Sequence, residues 1–395
     1  MEYCQANGLL AVYENGKNVS GGYMDPAKRN VRAIKLRGEQ SDGLFMPLES
    51  LSYTGVDITT FKAGDQITVV NGKEICTKYI PKGKENKIPT NIKKKSVKVK
   101  YQTTPTFFEH KDTEQLVYNL DAFKPGDEVE ITLKMHGTSQ RTGYHKIHVG
   151  YKKSLLDKIL RRPGEPIYDW GMANGTRRTV LKSFDGGFYG SNLFRETHAK
   201  VFEGKLWKGE TVYYEVVGFT HTGTPIMSTC DNKKLNDKEF IKQYGDITTF
   251  SYGCEPTVTV GCQSDMYVYR MTMTNEDGDT VEYTPDFMRH RCEQMGVKCV
   301  PVLWRGKIPQ NPGSKDDPTI SAGEWIQNVA ERFYDGPDPV GKTHIREGVV
   351  IRILNRPGFS AYKHKNFNFK VLEGIIKNSA DAPDMEEAEE LGGQE

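Results

Sequence analysis

The chain has 395 residues, of which 27% are charged and 10% are aromatic. This is the composition of an ordinary globular protein with room for two or three domains, and it excludes a disordered or fibrous chain. The formal net charge is only +2, but residues 82–100 hold eight lysines, while residues 378–395 hold seven acidic residues and no basic ones. We therefore expect a basic body followed by an acidic, disordered tail at 378–395.

The lack of a recognisable targeting signal and the odd number of cysteines lead us to expect an intracellular protein. No apolar run approaches the roughly 18–20 residues that span a bilayer, and the N-terminus lacks a signal-peptide core. Seven cysteines, an odd number, favour reduced thiols, so we expect a cytoplasmic protein that does not enter a membrane. Cys254, Cys262, Cys292 and Cys299 lie close enough in sequence to raise zinc binding, but none forms a C-x-x-C pair. Core cysteines are the favoured interpretation, and metal binding stays open.

Residues 1–95 read as a small β-rich module. Residues 31–37 alternate like a strand, 41–43 form a turn, and 44–48 read as the returning strand. A second strand at 66–70 follows the turn Phe61–Asp65 and is closed by Asn71-Gly72. Short strands with strong turns and little helix predict a small barrel of the OB type that binds nucleic acid.

A basic linker is expected between this module and the rest of the chain. The lysine-rich stretch 82–100, with its Pro and Gly residues, reads as a linker, and we place the linker between the domains at 96–120, which overlaps the end of that stretch. This stretch is either a solvated connection or a basic strap that touches phosphates.

Residues 121–377 predict an α+β domain with antiparallel sheets. Thr284-Pro285 starts a helix that runs to about Met295, and Ser321 with Glu324 forms a capping box before another helix. A further helix is predicted at 153–160. Strands are predicted at 131–134, 211–217, 266–271 and 348–353.

One lysine stands out in this domain. The apolar, β-branched run Ile131-Thr-Leu ends on Lys134, and Gly137 follows three residues later, which predicts a strand that delivers an amine into a pocket before a tight turn. A lysine can act as a covalent nucleophile once its ammonium loses a proton. Lys363 and Lys365 alternate along a later strand, so both ammoniums share one face. Their like charge should favour the neutral form of Lys134.

Further candidates occur in a fixed order along the chain, each close to the end of a β-branched or aromatic run. They are Lys134-Met-His136-Gly137-Thr-Ser, Gly175-Thr-Arg177-Arg178, Tyr214-Glu215-Val-Val-Gly218, Tyr267-Val-Tyr269, Arg346-Glu347-Gly348-Val-Val and Tyr362-Lys363-His-Lys365. Over about 130–370 this order resembles the covalent nucleotidyltransferase superfamily, which contains ATP-dependent RNA and DNA ligases and mRNA capping enzymes.

The resemblance implies a role for each position. Lys134 would carry the nucleotide in the RNA-ligase form of the motif, with His136 and Gly137 in the same loop. Arg177 would meet the phosphate or sugar, Glu215 the ribose, and Tyr269 the adenine. Glu347 would serve the metal, with Glu215 as a second candidate ligand, and Lys363 and Lys365 would bind the α-phosphate. Mg²⁺ or Mn²⁺ suits this site because hard cations take carboxylate and phosphate oxygens.

Several of these assignments have alternatives. Tyr267 and Tyr269 share a strand face and could be core residues, and Arg270 stands where the family often has an acidic residue. Arg177 and Arg178 compete for one role. Glu215 could be a surface charge, and His136 could orient the loop without touching substrate.

The resemblance is strongest to a subgroup of RNA ligases with an OB-like module in front, since only 30 residues follow Lys365. It implies a monomeric ATP-dependent RNA ligase for RNA repair, joining 3′-OH and 5′-phosphate ends in a nicked duplex with RNA on the 3′-OH side. A DNA ligase, a capping guanylyltransferase and a non-catalytic nucleic-acid-binding protein with a decayed ligase core are the alternatives. The intact order of Lys134, Glu215, Glu347, Lys363 and Lys365 argues against decay.

Overall fold

A computed structural model describes residues 2–14, 17–22, 24–27, 29, 31, 34–36, 39–41, 43–62, 64–65, 67–76, 104–154, 157, 164–185, 189, 191–257, 263–313 and 319–378. The described α-helices are α1 (Glu2–Ala6), α2 (Leu193–Lys200), α3 (Lys238–Tyr244), α4 (Pro285–Met295), α5 (Ala322–Glu331) and α6 (Phe367–Asn378). The strands are β1 (Ala11–Glu14), β2 (Lys17–Gly21), β3 (Ile34–Leu36), β4 (Glu39–Ser41), β5 (Val69–Val70), β6 (Lys73–Glu74), β7 (Glu114–Gln115), β8 (Glu128–Lys134), β9 (Thr138–Lys152), β10 (Glu165–Gly175), β11 (Val180–Leu181), β12 (Glu210–Gly218), β13 (Cys230–Asp231), β14 (Ile247–Thr248), β15 (Ser264–Thr274), β16 (Thr280–Glu282), β17 (Lys298–Cys299), β18 (Val302–Lys307), β19 (Gly348–Ile353) and β20 (Ala361–Lys365). Short 3₁₀ helices lie at Leu48–Thr54, Ile58–Thr60, Leu116–Tyr118, Leu120–Ala122 and Asn232–Leu235.

The chain divides into two compact units, Met1–Lys82 and Gly83–Glu395. In the described part of the first unit the strands pair as β1–β2, β3–β4 and β5–β6, and they do not close into a barrel there. The predicted OB-like barrel is therefore not confirmed. The turn at Asn71-Gly72 is confirmed, because both residues have positive φ (47° and 76°) and connect β5 to β6 as a tight hairpin.

The predicted returning strand at 44–48 is wrong. β3 instead pairs with β4, with Leu36 opposite Glu39, and the chain enters a 3₁₀ helix at Leu48. Phe45 is 94% exposed, so the apolar side chains of this stretch do not face a core. The lysine-rich stretch 82–100, the predicted helix at 153–160 apart from residues 153, 154 and 157, and the acidic tail beyond residue 378 lie outside the described residues.

Residues 104–120, which fall in the expected linker, belong to the second unit. Phe107 and Leu116 are buried, and β7 pairs in parallel with β20. Of these residues β7 joins the five-stranded sheet, while Phe107 packs against His145 of β9 in the other large sheet, so the stretch is not an open connection. The domain boundaries expected from the sequence stay predictions.

The second unit is α+β, as predicted, and its two large sheets are mainly antiparallel. One has the strand order β18-β8-β19-β20-β7, and the other has β11-β10-β9-β12-β15-β16 with β17 beside β15. In the first of these sheets, alternate side chains of β8 and β19 pack into one hydrophobic core with α5: Val129, Ile131, Val349, Ile351 and Ile326. The residues between them, Glu130, Thr132 and Lys134 on β8, therefore face the other way.

The predicted helix starts are confirmed. The Thr284 side chain accepts the N–H of Phe287, Pro285 is the first residue of α4, and Gly296 ends the helix with φ 71°. Ser321 and Glu324 form both hydrogen bonds of a capping box at the start of α5. Among the described residues there is no helix that is long and apolar enough to cross a membrane.

Candidate active site

Lys134 is the last residue of β8, and the strand register places the three candidate lysines side by side. Gly348 on β19 lies opposite both Lys134 on β8 and Lys365 on β20. Lys363 lies two residues earlier on β20, so it faces the same side of the sheet as Lys365. All three lysines line one cleft of about 1070 Å³, a volume that includes its open mouth. The fold therefore brings these amines together.

Glu347 lies between two of these lysines and is almost completely buried. Its Oε1 is 2.6 Å from Lys134 Nζ and 3.2 Å from Lys365 Nζ. Its Oε2 forms no hydrogen bond within the described part of the chain. The sequence predicts positive charge around Lys134, but the charged group that contacts it is this carboxylate.

The turn after Lys134 is not a hairpin, since residues 135–137 carry the chain from one large sheet to the other. Gly137 is needed there for close approach rather than for a positive φ. A Cβ at this position would lie 2.4 Å from the Val216 carbonyl oxygen and 3.0 Å from Glu215 Cγ. The glycine thus lets the loop after Lys134 pack directly against the strand that carries Glu215.

His136 is buried behind the cleft. Its backbone N–H donates to the Tyr252 hydroxyl at 2.6 Å, and its ring makes edge contacts with Phe250 and Phe369. Burial lowers the pKa of His136, so the ring is neutral at pH 7, and its 3.8 Å approach to Glu347 is not an ion pair. These contacts hold the loop, and His136 does not line the cleft.

The opposite wall of the cleft comes from the second large sheet. Ser139 on β9 lies opposite Glu215 on β12, and the Ser139 hydroxyl is 2.9 Å from the hydroxyl of Tyr269 on β15. The β12–β15 register jumps from Tyr213–Arg270 to Tyr214–Val268, which leaves Tyr269 as the extra residue of a β-bulge. A bulge re-aims side chains.

The bulge explains why the two tyrosines of β15 differ. Tyr269 lines the cleft, whereas Tyr267 is buried outside it and donates to Asp265. In a regular strand, Tyr267 and Tyr269 would lie on the same face. The sequence therefore left open that both are core residues. Burial also raises the pKa of Tyr269, so its hydroxyl keeps its proton at neutral pH.

The structure separates the two candidate arginines. Arg177 lines the cleft and forms an ion pair with Asp112, while Arg178 lies 3.3 Å from the same carboxylate and is more exposed. Buried Arg141 donates to the carbonyl oxygens of Thr176 and Arg177 and fixes the backbone there. Asp112 was not anticipated, because it lies in the expected linker.

A cluster around His110 was also missed by sequence reasoning. Arg270 forms a bidentate ion pair with Glu282 (2.8 Å for both contacts), and its Nη1 donates to His110 Nδ1 at 3.3 Å. His110 lines the cleft beside Tyr269, with ring centroids 5.0 Å apart. Burial and the neighbouring arginines hold the pKa of His110 well below its usual range. Arg270 is thus a buried structural charge.

The helix after β20 supplies a second acidic partner. Lys365 Nζ lies 2.9 Å from both carboxylate oxygens of Glu373 in α6. An acidic residue eight positions beyond a lysine carries no sequence signal that distinguishes it from a surface charge, so this contact was not predictable.

The donor groups present limit which metals the protein could hold. No group of three or more His, Cys, Asp or Glu side chains able to hold a metal occurs in the described ranges. There, Cys254 is buried, and Cys292 and Cys299 are free thiols. Cys262 lies outside those ranges. Glu347 Oε2, which has no hydrogen-bond partner among the described residues, is a suitable ligand for Mg²⁺ or Mn²⁺. Such an ion can bind one protein carboxylate and complete its coordination shell with phosphate and water oxygens.

The predicted site residues thus fall into two groups. Those that line the cleft together are Lys134, Arg177, Glu215, Tyr269, Lys363 and Lys365. His136, Gly137 and Glu347 lie directly behind this surface and position it.

Among known proteins, the chain resembles solved structures only. No family model and no curated protein matches it. Solved structures that it resembles include three forms of Naegleria gruberi RNA ligase: a lysine-to-alanine variant with ATP and Mn, a form with PPi, and an arginine-to-alanine variant with ATP and Mn. Their identities to this chain are 17%, 16% and 17%, with TM-scores of 0.47, 0.46 and 0.47. The matches cover 91%, 91% and 95% of this chain and 79%, 78% and 82% of those chains.

Proposed function

We propose that the protein is an ATP-dependent RNA ligase that joins 3′-OH and 5′-phosphate ends through a covalent lysyl-AMP intermediate. The observation that carries the proposal is the convergence of Lys134, Lys363, Lys365 and Arg177 on one cleft that Glu215 and Tyr269 also line. Such a cluster of cations suits a polyphosphate substrate, and one strand-end lysine among them suits covalent catalysis.

In the first step the neutral amine of Lys134 attacks the α-phosphorus of ATP. The nitrogen–phosphorus bond forms, the bond to the bridging oxygen breaks, and pyrophosphate leaves while the nitrogen releases its proton to solvent. Lys363, Lys365 and Arg177 hold the phosphate oxygens where negative charge develops. Because the ammonium of Lys134 contacts Glu347, it must lose a proton before it can attack.

The next two steps transfer the nucleotide and seal the RNA. A 5′-phosphate oxygen of the RNA attacks the lysyl-AMP phosphorus and forms an adenylylated 5′ end, while the lysine nitrogen takes a proton from solvent and leaves as the amine of Lys134. The 3′-OH then attacks the 5′-phosphorus and loses its proton to solvent, AMP leaves, and the phosphodiester remains. No step consumes a further reactant, since both ends and ATP supply every atom.

The remaining residues bind and orient the nucleotide. Tyr269 presents its ring to adenine and is fixed by Ser139. Glu215 accepts hydrogen bonds from the ribose hydroxyls, as a buried carboxylate facing the cleft can. Mg²⁺ or Mn²⁺, held by Glu347 with Glu215 as a second candidate ligand, would neutralise charge on the phosphates.

The preferred substrate under this proposal is a nicked duplex with RNA on the 3′-OH side, bound by a monomer. The first 95 residues and the lysines of 82–100 would hold its backbone. Phosphate contacts of this kind make sealing sensitive to salt. Sealing rates that barely change between low and moderate salt, at subsaturating substrate, would contradict this part of the proposal.

Covalent labelling tests the central claim. Protein and divalent cation are incubated with α-labelled ATP, or with α-labelled GTP, then denatured and examined for protein-bound label. The expected result is label from ATP that is absent in Lys134→Ala and present in Lys124→Ala, a variant in a turn outside the cleft. Label from GTP alone would indicate a capping enzyme. No label from folded protein free of bound AMP would reject the ligase.

The polynucleotide is tested separately. Nicked duplexes with RNA or DNA on the 3′-OH side are offered to pre-labelled protein, and the expected product forms only with RNA there. Equal sealing of an all-DNA nick would favour a DNA ligase.

A further inference from the structure

The strands β9 and β10 extend beyond the sheet as a two-stranded ribbon. β12 covers β9 only as far as Gly143, whereas β10 pairs with β9 along its whole length to Lys152. Within the described residues, Tyr144–Lys152 therefore has a strand neighbour on one side only. Nothing in the proposed ligase chemistry uses this part of the fold.

One face of the ribbon carries a ladder of rings. Cross-strand pairs bring Lys146 opposite Trp170 and His148 opposite Tyr168, and directly opposed residues share a face. The Tyr144 and Trp170 ring centroids are 5.8 Å apart, as are those of His148 and Tyr168. These rings are half-exposed, not covered by a core.

A β-bulge extends the ladder at its outer end. The register shifts where Ile167 pairs with Gly150 and Tyr168 with His148, so one residue of β9 is left over. This shift brings Tyr151, which is 41% exposed, against His148 with centroids 4.5 Å apart. The Nε2 atom of His148 has no hydrogen-bond partner among the residues described.

Positive charge accompanies the rings. Lys208 Nζ lies 5.3 Å from the centre of the Trp170 ring, and Lys146 forms an exposed ion pair with Glu276. In sequence, residues 146–162 hold six lysines and arginines and a single acidic residue. Stacking surfaces interleaved with cations are the combination that binds unpaired nucleotides, since every base has a π face and every linkage carries a negative charge.

We propose that this face, formed by Tyr144, Lys146, His148, Tyr151, Tyr168 and Trp170 and called here the ribbon face, binds a single-stranded segment of the RNA substrate. β9 starts at Thr138, just after the loop that follows Lys134, and Ser139 of this strand lines the cleft. The side chains of the ribbon face alternate with Ser139 along β9, so they lie on the other face of the sheet. Tyr144 lies six residues further along the strand, about 20 Å from its start. This inference rests on the proposed function for the identity of the substrate, and it adds that the substrate carries unpaired nucleotides away from the join.

Binding of a 5′-fluorescein-labelled oligouridine 12-mer to the full chain, followed by anisotropy, tests the proposal. Trp170→Ala should weaken binding about tenfold, and the double variant with Tyr168→Ala should weaken it by roughly a further tenfold. Ile167→Ala is the matched control, because Ile167 is an exposed neighbour on the opposite face and should bind as wild type does. Urea midpoints of all variants establish that they are folded.

Two further arms identify the mode of binding. Oligouridine should quench tryptophan fluorescence, and Trp170→Phe should bind within threefold of wild type while losing that quenching. A blunt RNA duplex of the same length should bind more weakly and be indifferent to Trp170→Ala. Equal affinity of wild type and the double variant for oligouridine, or equal weakening for duplex and single strand, overturns the proposal. Absence of lysyl-AMP would reject the ligase and leave these binding results interpretable.

Discussion

At the scale of single residues, the buried Glu347 carboxylate determines the state of the cleft. A buried anion is costly unless it is paired, and here two ammoniums, Lys134 and Lys365, pair with one oxygen. The second oxygen remains available for a cation. Under the proposed function, Glu347 would restrain Lys134 and offer a metal ligand at the same time.

Glu347→Gln should distinguish the effect of the Glu347 charge from the effect of its packing. The amide keeps the shape but loses the charge, so lysyl-AMP formation should fall on the order of 100-fold. The free energy of unfolding should drop by about 2 kcal/mol, because two ammoniums lose their shared counterion. Rates of label transfer from α-labelled ATP and urea unfolding measure the two effects. Glu373→Gln is the control, since it removes a partner of Lys365 but leaves the Lys134 contact intact. Unchanged labelling by Glu347→Gln would show that its charge has no role.

Gly137→Ala should damage the site through backbone contact alone. Its new methyl would meet the Val216 carbonyl oxygen at 2.4 Å, so the loop carrying Lys134 must shift away from β12. Overpacking of this kind costs about 1–3 kcal/mol in unfolding free energy. Label formation should fall as well, because Lys134 and Glu215 move apart. Gly150→Ala, in the strand β9 that follows Gly137 and with open space around its Cβ position, should leave both measurements unchanged.

At the scale of elements, the capping box of α5 fixes a helix that supports the floor of the cleft. Ile326 and Val329 of α5 pack against the back of β8 and β19, the strands whose other face presents Lys134. Ser321→Ala removes a cap and should lower the free energy of unfolding by about 1 kcal/mol. Trp325 lies in this helix and gives a local fluorescence signal for urea unfolding. Ser321→Asp restores a capping oxygen and should recover most of the loss, and an equal loss in both variants would mean that capping is not the cause.

The elements also show what a sequence can predict. Local signals were sufficient for α4, α5, β19 and the hairpin at Asn71-Gly72, because caps and positive-φ turns are set by adjacent residues. The prediction of a strand at 44–48 was wrong, because a pattern of apolar residues does not show whether they face a core. The Tyr269 bulge was invisible because it depends on the register between β12 and β15.

The candidate site also has features that the sequence predicts and features that only the fold shows. The order of Lys134, Arg177, Glu215 and Lys365 along the chain predicts that they share one cleft, and the strand register places them there. The contact between Glu347 and Lys134 joins residues far apart in the chain, so only the fold could reveal that an anion touches Lys134.

At the scale of the whole molecule, buried histidines link stability to pH. Burial lowers the pKa of His145 and that of His198 to about 4 each. His145 lies between Thr106 and Thr211, and His198 contacts Ser264. Both rings are therefore neutral in the folded protein down to about pH 4.

In the unfolded chain these histidines regain an ordinary pKa near 6.5 and bind protons first as pH falls. Because the unfolded state then holds more protons, acidification favours it, and stability is complete above pH 6.5 and lost between pH 6.5 and about 4. Lowering the pH from 7.5 to 5 should therefore reduce the free energy of unfolding by on the order of 1–2 kcal/mol for each histidine.

Urea unfolding followed by tryptophan fluorescence measures this change in the second unit, which contains all four tryptophans. His198→Gln should flatten this pH dependence even if it lowers stability throughout, whereas His221→Gln, at an exposed position, should keep the wild-type slope. Equal unfolding free energies of the wild type at pH 5 and pH 7.5 would mean that these rings are protonated within the fold.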